Sequence, residues 1–164
     1  MSATVSTPNP GRWLEVLLRR QPHQIIDNHG APYLQRWYLI PRNRLCNIYL
    51  HRFVASDDPT CHDHPWAFAS VILRGGYTEI QPDRITVRRA GSFAVRRAQH
   101  RHSVRLPRTA DGREIPCLTV IITGPRVRNW GFWCPDRNQA DRFVPWRQFG
   151  PGGCGESQTE VAQR

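Results

Sequence analysis

Two histidine pairs, His62/His64 and His100/His102, hold the residue types in this chain best suited to chemistry. Side chains two apart on an extended strand point the same way. His62 and His64 therefore share a parity with Trp66, Phe68, Ser70 and Ile72, an increasingly apolar set. His100 and His102 share theirs with Val104 and Leu106, while Arg101, Ser103 and Arg105 take the other and are expected to face water. Both pairs are thus expected to turn inward. Neutral imidazole is a good ligand for first-row divalent cations, and three imidazoles leave open positions for water or substrate. A hydrogen-bonded group of core histidines is the plainer alternative. Inward pairs on two different strands favour metal over it.

Other side chains are candidates to join them. His51 shares a parity with Tyr49 and Phe53 and is expected to approach the same interior. Arg36, Arg52 and Arg97 lie near these segments, and an arginine fork binds a carboxylate or phosphate in bidentate fashion. Which arginine turns inward depends on register, which spacing does not fix. Of Trp37, Trp66, Trp130 and Trp133, Trp66 follows the first pair and is the best choice for a cavity wall. Asp63 has the wrong parity for the same metal and reads as a turn or solvent residue. Cys61 reads as a packed thiol facing away.

The elements that must position these groups are mostly short strands. Arg12 to Arg20 has helical spacing of Trp13, Val16 and Leu17, with Pro22 as a stop. Strands are expected over 33–40, 45–54, 66–73, 77–80, 84–89, 92–96, 102–106, 118–123 and, as a last aromatic segment, 128–134. Gly75-Gly76 ends the fourth-named run's predecessor, and Asp57 to Thr60 reads as a turn. Residues 1–11 read as a flexible tail, 12–149 as a single domain and 150–164 as a disordered tail. Many short strands with Gly and Pro turns indicate a sandwich or barrel.

Composition sets the bounds. The 164 residues allow one hydrophobic core. All 23 basic residues are Arg, giving a formal charge of +10, but they are spread along the chain without a basic tail or helix. Nucleic acid is disfavoured as a partner for that reason. No apolar run is long enough to cross a bilayer, and Met1 to Pro10 lacks the apolar stretch of a secretory leader. A cytoplasmic protein without a membrane partner is expected. The five cysteines (Cys46, Cys61, Cys117, Cys134 and Cys154) are widely spaced with no CxxC pair, so reduced thiols are expected and a thiolate zinc site is not.

The run Cys61-His62-Asp63-His64-Pro65-Trp66, continuing to Gly75-Gly76-Tyr77, resembles the first motif of the cupin superfamily. Gly91 to His102 resembles the second, whose metal histidine lies eleven positions after its opening glycine, here His102. The resemblance implies an all-β cupin-type double-stranded β-helix, a jelly-roll barrel, with a short N-terminal helix. It implies a three-histidine metal site of His62, His64 and His102. The family's glutamate ligand is missing, since Phe68 and Ala69 stand where it would fall; Arg97 and Gln99 replace the Pro and Gly of the second motif.

Three-histidine cupins include Fe(II) oxygenases, so the resemblance implies a non-heme Fe(II) dioxygenase or oxidoreductase acting on a small anionic molecule. Zn, Ni, Mn or Co also fit such ligands. His100 and His51 are then the catalytic candidates, and Trp66, Arg97, Arg36 and Tyr49 the substrate-binding ones. Two other readings stand beside this one. The first is a non-catalytic metal- or small-ligand-binding module. The second is a sugar isomerase or epimerase with His62 or His64 as base and Tyr49 or Tyr77 as acid. Edge strands make a homodimer the expected assembly.

Overall fold

The computed structural model describes residues 4–28, 30–136, 140–149, 153 and 154. Its elements run β1 (Thr4–Pro8), α1 (Trp13–Leu18), β2 (Gln24–Asn28), β3 (Ala31–Tyr38), β4 (Asn47–Phe53), β5 (Phe68–Arg74), β6 (Gly76–Ile80), β7 (Ile85–Arg89), β8 (Phe93–Arg96), β9 (Ser103–Arg105), β10 (Cys117–Thr123), β11 (Gly131–Cys134) and β12 (Arg142–Pro145). The short helix falls inside the expected 12–20 segment, with only Val16 buried. β1 occupies residues read above as a tail and pairs along its whole length with β2. The expected tail over 150–164 lies almost wholly outside the described residues.

All pairings are antiparallel. They form a seven-stranded sheet ordered β1-β2-β3-β4-β10-β5-β8, a three-stranded sheet β7-β6-β9 and the hairpin β11-β12. This corrects the expected jelly-roll barrel. A barrel needs an unbroken ring of hydrogen-bonded neighbours, yet among the described residues no sheet closes on itself. β1 and β8 end the large sheet as open edges, and only single bridges, His62 to His102 and His62 to Phe132, link the smaller sheets.

The core lies between the layers. Ile72 and Cys117 of the large sheet pack with Leu106, flanked by Phe53 and by Tyr77 of β6. A second cluster of Phe132, Cys134, Val144 and Phe149 fills the hairpin. The chain crosses from the large sheet to the small one at Gly75-Gly76. Gly75 has φ +76°, and a Cβ there would stand 2.6 Å from the Pro116 carbonyl oxygen. Only glycine fits that corner.

Cys134 and Cys154 form a disulfide, which corrects the expectation of reduced thiols throughout. Their 20-residue separation hid the pair in the sequence. Cys46, Cys61 and Cys117 are free. Disulfides persist in oxidising surroundings, so this pair no longer supports a cytoplasmic setting. Among the described residues, no helix is long and apolar enough to cross a membrane.

Candidate metal centre

The His62–His64 segment is stitched between two others. His62 and His102 exchange backbone hydrogen bonds at 2.9 and 3.0 Å, and His64 N–H donates to the Ala98 carbonyl at 2.9 Å. On the other side, Asp63 N–H donates to the Gly131 carbonyl at 3.0 Å and Trp133 N–H to the Cys61 carbonyl at 2.8 Å. Alternation of the backbone thus sends both imidazoles to one side and Asp63 to the other. Asp63 is not a solvent residue: it is fully buried and accepts from Arg128, from Gly131 N–H at 3.0 Å and from Trp133 Nε1 at 3.0 Å. Parity placed it correctly, but β11 covers that side.

The imidazoles of His62, His64 and His102 converge. One ligand nitrogen from each of His62, His64 and His102 lies within 4.8 Å of the others. His64 Nε2 and His102 Nε2 are 2.9 Å apart. Metal–nitrogen bonds of about 2.0–2.1 Å separate two nitrogens at a right angle by about 2.9 Å, so this pair fits adjacent positions on one ion. Phe68 lies edge-on to His64 at 4.7 Å, and Trp130 and Phe132 flank His62 at 6.0 and 5.8 Å.

Burial holds these rings neutral. His62 is lowered to about 3 by burial and then by the neighbouring His102 and His100. His64 is lowered well below its ordinary value by burial, then by His102, His62, His100 and His51. His102 is also lowered by burial, partly offset by Glu79. Neutral rings present lone pairs, the form a metal requires. The same shifts set a pH dependence. Below pH 6.5 the unfolded chain takes up protons that these folded rings resist, His62 until about pH 3. The metal-free fold is therefore expected to lose stability as pH falls from 6.5 towards 3, by a few kcal/mol from His62 alone at about 1.4 kcal/mol per unit. Urea midpoints measured across that range test it; a flat profile from pH 7 to 4.5 would contradict neutral burial.

The residue that sequence reasoning missed is Glu79. It is 1% exposed and is the fourth residue of β6. Its Oε1 is 3.1 Å from His102 Nδ1 and 3.1 Å from His100 Nε2. Arg96 donates to both of its oxygens, from Nε at 3.1 Å and Nη2 at 2.7 Å, and Arg88 Nε donates at 3.0 Å. Burial alone would raise this carboxyl, but hydrogen bonds from His100, His102 and Arg96 carry it far below the usual carboxylate range. Glu79, His100 and His102 also form a group with metal-ligand spacing. The two arginines already occupy that carboxylate, so its effect here is to take the His102 Nδ1 proton side and leave Nε2 for the ion. A signal was present: Glu79 is the one acid between Asp63 and Asp83.

The remaining candidates divide. His100 sits behind His102 against Glu79, not beside His62 and His64. His51 is 6% exposed and faces inward, but its Nε2 lone pair accepts from Arg36 Nε at 2.7 Å. Arg36 turns inward and lies over the Tyr49 ring at 4.9 Å. Tyr49 is buried, stacks on His51 at 5.7 Å and meets Trp66 edge-on at 6.5 Å. Arg97, a substrate-binding candidate by sequence, is exposed and does not reach the interior, whereas Arg96, one residue earlier, turns in to Glu79. Ser103, expected outside, is 2% exposed. Next to His62, a small cleft of about 10 Å3 is lined by Tyr33, Asp57, Asp58 and Trp130 among others, room for about one water.

No family model matches the chain, and no curated protein matches it. Solved structures do. The polyketide cyclase RemF from Streptomyces resistomycificus is 13% identical with a TM-score of 0.51, the match covering 65% of this chain and 75% of that one. An uncharacterized conserved protein with a double-stranded β-helix domain from Klebsiella pneumoniae is 16% identical with a TM-score of 0.47, covering 61% of this chain and 84% of that one. An RmlC-like cupin protein from Desulfovibrio desulfuricans is 15% identical with a TM-score of 0.42, covering 57% and 82%. At such identities likeness concerns fold alone. The strand arrangement is similar to that of RemF, and its sheets are open. Fold and side chains together define an antiparallel β module with a buried imidazole and carboxylate cluster suited to a divalent metal ion.

Proposed function

We propose that this protein is a metal-dependent enzyme of the non-heme Fe(II) dioxygenase type, acting on a small molecule. The observation that carries this reading is the convergence of three neutral imidazoles, one of them backed by a buried carboxylate. His62, His64 and His102 would hold the ion, and Glu79 keeps the His102 ring turned with Nε2 towards it. When bound, a ferrous ion supplies the redox chemistry with dioxygen that side chains lack. Phe68, Trp130 and Phe132 limit water around the rings. His100 and His51 reach the site only through Glu79 and Arg36, so in this reading they position other groups. The two open edges of the large sheet offer the surface for a homodimer.

A second reading, a non-catalytic metal-binding module, draws on the small free volume beside His62. One experiment separates the two. Protein purified without oxygen is analysed for metal, loaded with Fe(II) and mixed with a panel of small organic acids in an oxygen electrode. The enzyme reading expects one ion per chain and acid-dependent oxygen uptake. A bound ion with no uptake from any acid would favour the binding module.

A further inference from the structure

We propose that Arg36, His51 and Thr119 form a carboxylate subsite on the inner face of the large sheet, so that the ligand is a small monocarboxylic acid. This rests on the reading above of the protein as a metal-dependent enzyme acting on a small molecule. Strand register places Gln24, Arg36, His51, Thr119 and Ile72 in one row across β2, β3, β4, β10 and β5. Directly opposite residues on one face have Cβ atoms about 4.5–5.5 Å apart, so the three polar groups are immediate neighbours.

Each has hydrogen-bonding capacity left over. Arg36 donates from Nε to His51 Nε2 at 2.7 Å and from Nη1 to Gln24 Oε1 at 2.9 Å. A guanidinium carries five N–H groups, so three are left, including both on Nη2. Burial lowers the Arg36 pKa and no carboxylate offsets it; among the described residues the guanidinium has no acidic partner. His51 accepts at Nε2, so the neutral ring carries its proton on Nδ1. That N–H has no acceptor among the described residues. Thr119 is 1% exposed, and its Oγ1 has no hydrogen-bond partner. A buried hydroxyl left unpaired is unfavourable.

All three free groups are donors, and a carboxylate is an acceptor alone. Its two oxygens match the Nη1/Nη2 edge of a guanidinium. The charge count favours a monoanion: Arg36 is the single cation of the row, whereas Arg88 and Arg96 are engaged by Glu79. The flat Tyr49 ring, beside both Arg36 and His51, suits a planar acid. The row ends on Ile72 of β5, and Phe68 on the same face of that strand lies 4.7 Å from the His64 ring, which sets the subsite on the sheet that reaches the imidazole cluster.

The test is calorimetric titration of the full chain with benzoate and with inorganic phosphate, with and without one equivalent of Co(II). Benzoate is expected to bind once per chain, at least tenfold more tightly than phosphate. Arg36→Gln is expected to weaken benzoate at least tenfold and Thr119→Val several-fold, with the Co(II) absorption spectrum unchanged in both. Arg97→Gln, at an exposed site, should leave benzoate affinity unchanged. Should Arg36→Gln fail to fold, Thr119→Val carries the test. Absence of saturable benzoate binding, tighter phosphate binding, or benzoate affinity indifferent to both substitutions would overturn the subsite. Benzoate binding in a chain that takes no Co(II) would overturn the metal-enzyme reading and support the subsite.

Discussion

Replacing His62 or His102 by alanine is expected to abolish tight, stoichiometric binding of a divalent ion. Structural zinc sites hold their metal with about 10–16 kcal/mol over four ligands, or roughly 2.5–4 kcal/mol for each. Loss of one imidazole of three should therefore weaken the ion by a factor of about 10² to 10³. The backbone bonds that hold the His62 segment to residues 98–102 and 131–133 involve no imidazole, so strand content should survive. Competition titration with a chromophoric chelator, with circular dichroism as the folding check, measures both. His100→Ala is the informative companion. Its ring bonds Glu79 rather than facing His62 and His64, so metal is expected to stay bound. Unchanged metal content in both His62→Ala and His102→Ala would remove the ligand assignment and, with it, the proposed enzyme.

Parity made the imidazoles legible. His62, His64 and His102 follow the alternation of strands whose apolar continuations (Phe68, Ser70 and Ile72; Val104 and Leu106) are buried where expected. The glycine corner at Gly75-Gly76 was equally plain, because close backbone approach leaves a sequence mark. What parity does not carry is which strands become neighbours. Glu79 reaches His102 because β6 lies between β7 and β9, with Glu79 opposite Thr86 and Val104. Asp63 is buried because a hairpin 70 residues downstream covers its side, with Trp133 reaching back to it. Arg96 turns in while Arg97 faces out, since a single residue along the chain flips a side chain across the sheet. Closure failed as an expectation for a related reason. Motif spacing describes a few strands, whereas a barrel depends on how the last strand meets the first.

Glu79→Gln is expected to be the most damaging single change outside the ligands, in two separable ways. The substitution keeps shape but removes the charge facing Arg88 and Arg96, whose side chains are only 20% and 12% exposed. Breaking a buried ion pair by neutralising one partner typically costs about 3–5 kcal/mol, because the other charge stays desolvated. A fall of that size should appear in urea unfolding of the metal-free protein. If the arginines cause it, Arg96→Gln in the same chain should add far less than it does alone. The second effect concerns the ion. An amide oxygen still accepts from His102 Nδ1, but no longer as a carboxylate that fixes the ring and strengthens Nε2 as a donor; such losses weaken metal binding about 10–100-fold. Titration under conditions where the variant is fully folded isolates this term. Metal affinity equal to that of the parent, with stability alone reduced, would make Glu79 a purely structural counter-ion to its arginines.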